Sequence, residues 1–176
     1  ARPVKAKRRR QPWLSRFPPL PIRSDPCTDP DGGPACRPLE TRMNRYAAAY
    51  AGTLMVMVLL DLIWLGLIAK PLYQQGIGHL MAEQANVVAA VAFYALFAVG
   101  IVVFAVAPVS GRSGWGSTLA MGAAFGFFAY ATYDLTNLAT LRGWPLRLSL
   151  IDIAWGSLVS AASAAGGKAA MDRATS

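Results

Sequence analysis

The stretch YAAAYAGTLMVMVLLDLIWLGLIA, residues 46–69, decides the fold. It runs for 24 residues with a single charge, Asp61. A helix rising 1.5 Å per residue covers a hydrocarbon core of about 30 Å with this length. Lys70-Pro71 is read as its end. Working outward, NVVAAVAFYALFAVGIVVFAVA (86–107) has no charge, and Pro108 stops it. WGSTLAMGAAFGFFAYATYDLTNL (115–138) carries Asp134 and Asn137 near its end. The fourth span, 146–166, is the weakest by composition, with Arg147, Asp152 and four serines. Pro145 suits its first turn. The alternative is three spans plus an interfacial helix.

The whole chain agrees with that reading. It has 176 residues, 55% hydrophobic and 15% charged, with mean hydropathy +0.37. Soluble domains run at about 45–50% apolar and about 25% charged, so an ordinary soluble domain is excluded. The net charge of +8 is unevenly placed. Residues 1–42 hold 10 basic and 4 acidic side chains and 9 of the 12 prolines; residues 43–176 hold 7 basic and 5 acidic. Proline at that density and the lack of apolar periodicity predict a disordered segment over 1–42. Its basic run at residues 5–10 suits an anionic lipid surface. No apolar stretch follows that run to make a signal peptide. Met43, just before the first span, reads as a natural start. The basicity is therefore no nucleic-acid footprint, and no nucleic-acid partner is expected. Cys27 and Cys36 both lie in this segment, so thiol chemistry and cysteine-ligated metals are excluded from the membrane part.

The connections between spans are short, which makes neighbours antiparallel and predicts an all-α, up-down-up-down bundle of four transmembrane helices. Gly122 and Gly126 form a GxxxG pattern, and Gly156, Ser160 and Ala164 form a small face on the fourth span. Both suit close helix packing, and the Gly122/Gly126 face also suits a second copy of the chain. Arg45, Arg112, Lys168 and Arg173 share one side; Lys70, Arg142 and Arg147 share the other. The positive-inside preference then places both termini in the cytoplasm.

Asp61, Asp134 and Asp152 carry the functional signal. A charge at the bilayer centre costs at least about 2.5–3.5 kcal/mol, so such residues face the bundle or water. Asp61 lies roughly 13 Å along its helix from Lys70, Asp134 roughly 12 Å from Arg142, and Asp152 roughly 8 Å from Arg147. Three helices thus place a carboxylate in the same half of the bilayer. Asp61-Leu-Ile-Trp64 and Asp152-Ile-Ala-Trp155 share D-x-x-W, which sets each Trp on the face of its Asp. Asn137 is placed likewise relative to Asp134, beside Tyr133. These donors predict a polar pocket lined by Asp61, Asp134, Asp152, Trp64, Tyr133, Asn137 and Trp155.

Blander readings stand beside that one. Trp64, Trp144 and Trp155 fit an interfacial belt. The acids fit ion pairs with Arg142 and Arg147 that only hold helices together. His79 is the single histidine, four residues before Glu83, and one histidine makes a poor metal site. No metal and no cofactor are expected. Walker A, GxGxxG, HExxH and GxSxG patterns are absent.

Residues 43–176 resemble the DUF2177 family of small bacterial membrane proteins. The resemblance rests on Asp61-Leu-Ile-Trp-Leu-Gly66, on Tyr133-Asp134-Leu-Thr-Asn137-Leu-Ala-Thr140, and on Trp144-Pro145 followed by Asp152-Ile-Ala-Trp155-Gly156. It implies a helical membrane fold in the bacterial inner membrane, and no activity. The expectation is a multi-pass protein whose acid-lined pocket binds or moves a small polar or cationic ligand or a lipid headgroup. The alternatives are a membrane-embedded lipid-modifying enzyme or accessory factor, ranked lower for want of a nucleophile–base pair, and a purely structural subunit.

Overall fold

The computed structural model describes residues 39–109 and 114–175. The expectations for residues 1–38, including the basic run, Cys27 and Cys36, lie outside the described residues. Five α-helices follow in order: α1 Leu39–Ile63, α2 Lys70–Ile77, α3 Val87–Ile101, α4 Trp115–Thr140 and α5 Leu146–Arg173. The first helix begins four residues before Met43, directly after Pro38, the last proline before Pro71. Residues 39–42 are therefore helical rather than irregular.

The first span does not stop at Lys70-Pro71. It passes through a π-helical turn, Trp64–Ala69, straight into α2. Pro71 lacks an N–H, and its ring crowds the carbonyl four residues back. A turn wound wider just before it relieves that crowding without ending the helix. The same device precedes Pro108: Val102–Val106 is π-helical, and Ala107–Val109 then tightens to a 3-10 turn. Elsewhere the ends follow local chemistry. The Asn86 side chain caps α3 by accepting from Ala89 N at 3.1 Å. Gly143 takes a left-handed φ of +76° in the turn between α4 and α5.

The polarity is inverted relative to a water-soluble protein. Leu59, Leu67, Val88, Leu96, Phe128 and Leu158 are exposed, whereas Thr53, Thr118, Ser149, Ser160, Ser163 and Lys168 are buried. In lipid a leucine gains little by moving inward, but a polar group does. Three stretches are long and apolar enough to cross a membrane: Met43–Leu80, Val87–Val109 and Leu146–Arg173. By apolarity the weaker helix is thus α4, not the fourth span as composition suggested. Its glycines, threonines, tyrosines and Asp134 lower its hydropathy.

Helix α5 is the hub, and small residues let its neighbours approach. A Cβ on Gly122 of α4 would stand 2.8 Å from Ala164 Cβ and 2.9 Å from the Ser160 carbonyl oxygen. Gly126 lies closer still to the Gly156 carbonyl. On the other side, Gly52 of α1 faces Ala170 and the Gly166 carbonyl, and Thr53 packs on Gly167. Both pairings are antiparallel. The third helix closes the ring: Tyr50 on α1 donates to the Ala95 carbonyl at 3.4 Å, and Phe97 meets Phe125 of α4 at 5.1 Å between ring centres. The result is the expected four-helix bundle. One expectation is corrected. The Gly122/Gly126 face is covered by α5 of the same chain, so it offers no seat for a second copy.

Candidate functional site

The three acids are all inside. Asp61 is 5% exposed, Asp134 0% and Asp152 3%. Each carboxylate is met differently. Asp61 accepts from Trp155 Nε1 at 3.0 Å, with the Tyr94 hydroxyl beside it. Asp152 accepts from the Tyr73 hydroxyl at 2.5 Å. Both Asp134 oxygens are buried without a hydrogen bond. Trp144 and Ser149 lie near Asp134, but Trp144 Nε1 donates to Ser149 Oγ at 2.9 Å instead.

Arg142 and Arg147, expected as charge partners, are exposed. Among the described residues, no basic side chain pairs with any of the three acids. Helix geometry accounts for Arg147: five residues before Asp152, it points about 140° away around α5. Arg142 lies beyond the end of α4, in the turn that follows it.

The two D-x-x-W motifs cross over. Trp64 and Trp155 stack with ring centres 4.3 Å apart and planes 7° from parallel. Through that stack Trp155 serves Asp61 on the other helix, and Asp152 takes its donor from α2. Trp64 Nε1 is buried near the Tyr73 hydroxyl but makes no hydrogen bond. Trp144 is buried too, edge-on to Tyr133 at 6.0 Å. These tryptophans face the bundle rather than forming a lipid-facing belt. Asn137 lies one turn from Tyr133, beside its hydroxyl. Gly156, expected as a packing residue, also makes room for a ring. A Cβ there would fall within the Tyr130 side chain.

Tyr130 is the centre of the arrangement and was absent from the expected set. It lies within electrostatic reach of Asp61, Asp134 and Asp152 and of Tyr94. Its spacing of four before Asp134 was a usable signal. Tyr94 is the single tyrosine of an otherwise apolar span, a weaker clue. Tyr73 was hidden by the assumption that Pro71 ends the helix.

Against Asp152 lies a cavity of about 400 Å³, lined also by Tyr73, Phe93, Phe97, Ala129, Tyr130 and Tyr133. A crevice of about 160 Å³ near it includes Gln75, Pro145 and Arg147. Among the described residues, no three His, Cys, Asp or Glu side chains are grouped to hold a metal ion. His79 sits in a short 3-10 turn and Glu83 in a bend, so they form no helical pair.

A helical bundle with an apolar outside and a carboxylate layer within is a multi-pass membrane protein. The chain belongs to the DUF2177 family, described as a predicted membrane protein, whose profile matches residues 46–169. That match contains all three acids and the tyrosines around them. No curated protein and no solved structure matches the chain.

Proposed function

We propose that the acid layer binds a small cationic ligand, in a bacterial inner-membrane protein with both termini in the cytoplasm and the site in the periplasmic half. The observation that carries this is Asp134: fully buried, on a helix packed against Asp152, with neither oxygen hydrogen-bonded. An unpaired buried carboxylate costs several kcal/mol. Its neighbours Asp61 and Asp152 receive only neutral donors. A cation supplies the missing counter-charge. A purely structural layer would instead be expected to pair its acids with arginines. Ser149 lies near Asp134, but its hydroxyl accepts from the Trp144 indole and Asp134 takes no hydrogen bond from it, which gives an enzyme reading no support.

Thermal unfolding of the purified full chain with millimolar ammonium, ethanolamine and choline tests this. A ligand at 100 times its dissociation constant adds about 2.7 kcal/mol to stability. At least one of the three stabilises the wild type, and Asp134→Asn or Asp152→Asn removes the effect. Stabilisation that survives Asp→Asn at all three positions would overturn the proposal, as would none in the wild type.

A further inference from the structure

We propose that the ligand is a substituted ammonium, whose carbon groups pack on aromatic rings while its charge faces Asp152. This inference rests on the cation-site reading and adds the chemical class to it. The cavity's walls are five rings from three helices and one carboxylate from a fourth: Tyr73 from α2, Phe93 and Phe97 from α3, Tyr130 and Tyr133 from α4, and Asp152 from α5. Phe97 and Tyr130 meet at 90° with centres 6.2 Å apart, and Phe93 lies 5.3 Å from Phe97. The rings therefore form corners rather than one flat stack, and offer faces in more than one direction.

An inorganic cation is poorly served by such walls. It needs several oxygen ligands to replace its water, and among the described residues no three His, Cys, Asp or Glu side chains are grouped to hold one. An alkylated ammonium is attracted to ring faces as well as to a carboxylate. The volume falls in the range of small-molecule pockets, about 300–1,000 Å³. The charge pattern also selects. Asp134 lies within electrostatic range of Asp152, so an anion is repelled and a neutral ligand leaves both acids uncompensated. The Tyr73 hydroxyl holds one Asp152 oxygen and fixes the carboxylate. Phe93 and Tyr133 are 42% and 56% exposed, which puts the cavity's rim on the lipid-facing surface between α3 and α4. A free amine with apolar substituents or the ammonium headgroup of a lipid shares this chemistry.

Calorimetric titration of the full chain in detergent tests the class, using choline, its uncharged isostere 3,3-dimethylbutanol, and potassium chloride. Choline is expected to bind saturably, the alcohol at least tenfold more weakly, and potassium not at all. Phe97→Leu should weaken choline at least fivefold. If that variant fails to unfold cooperatively, Phe93→Leu at the rim replaces it. Choline no tighter than the alcohol, alongside an acid-dependent response to ammonium or potassium, overturns the substituted ammonium and leaves the cation site standing. No acid-dependent binding of any cation overturns both. Repeating the choline titration in nanodiscs names the source. Binding weakened tenfold in phosphatidylcholine relative to phosphatidylglycerol assigns the site to a headgroup, and equal binding assigns it to a free amine.

Discussion

At the scale of single residues, Trp155 links packing to polarity: one face stacks on Trp64 and its N–H satisfies Asp61. Trp155→Phe keeps the ring and deletes the donor. It should cost about 1–3 kcal/mol, the penalty for orphaning a buried acceptor. Asp61→Asn retains an accepting oxygen and should cost less; unfolding in detergent compares the two, and the reverse order would discount the hydrogen bond. The glycines make a sharper contrast. Gly126→Ala drives a Cβ into the Gly156 carbonyl and should lose about 1–3 kcal/mol by overpacking. Gly66→Ala meets nothing within 4 Å and should lose no stability in the same assay.

At the scale of elements, the two prolines and their wide turns belong together. The turn at Trp64–Ala69 gives up regular i→i−4 bonding so that α2 can continue and bring Tyr73 to Asp152. Its amides should exchange with solvent deuterium faster than those of residues 50–60. Pro71→Ala should slow them; unchanged exchange would mean that Pro71 does not cause the π turn. The same region shows how far the sequence could be read. Four helices followed from four apolar runs, and the burial of the three acids followed from the cost of a charge facing lipid. Pro71 read as a stop because the usual rule for proline assumes a regular α-helix, and nothing in apolar spacing marks a π turn. Tyr73 was lost with it. The crossing of the two D-x-x-W motifs was out of reach for another reason. Spacing tells which residues share a face of one helix, not which facing helix supplies their partner.

At the scale of the whole molecule, an even number of crossings places the start of α1 and the end of α5 on one side. Single cysteines test this in a Cys27→Ser, Cys36→Ser background. Leu141→Cys, at the end of α4, should react with an impermeant maleimide in intact cells, and Thr175→Cys only after permeabilisation. The opposite pattern would invert the proposed orientation and move the acid layer to the cytoplasmic half. The inverted polarity also shapes what the fold can do. Lys168, buried at the far end of α5 against Asp172 and Trp115, is separated from Asp152 by 16 residues, roughly 24 Å of helix. At that distance it cannot neutralise the acid layer. The most direct measurement is a native mass spectrum of the full chain released from its own membrane in mild detergent. The account predicts a stoichiometric added mass on the wild type that is lost from Asp134→Asn. An identical spectrum for both proteins, with or without an adduct, would contradict it.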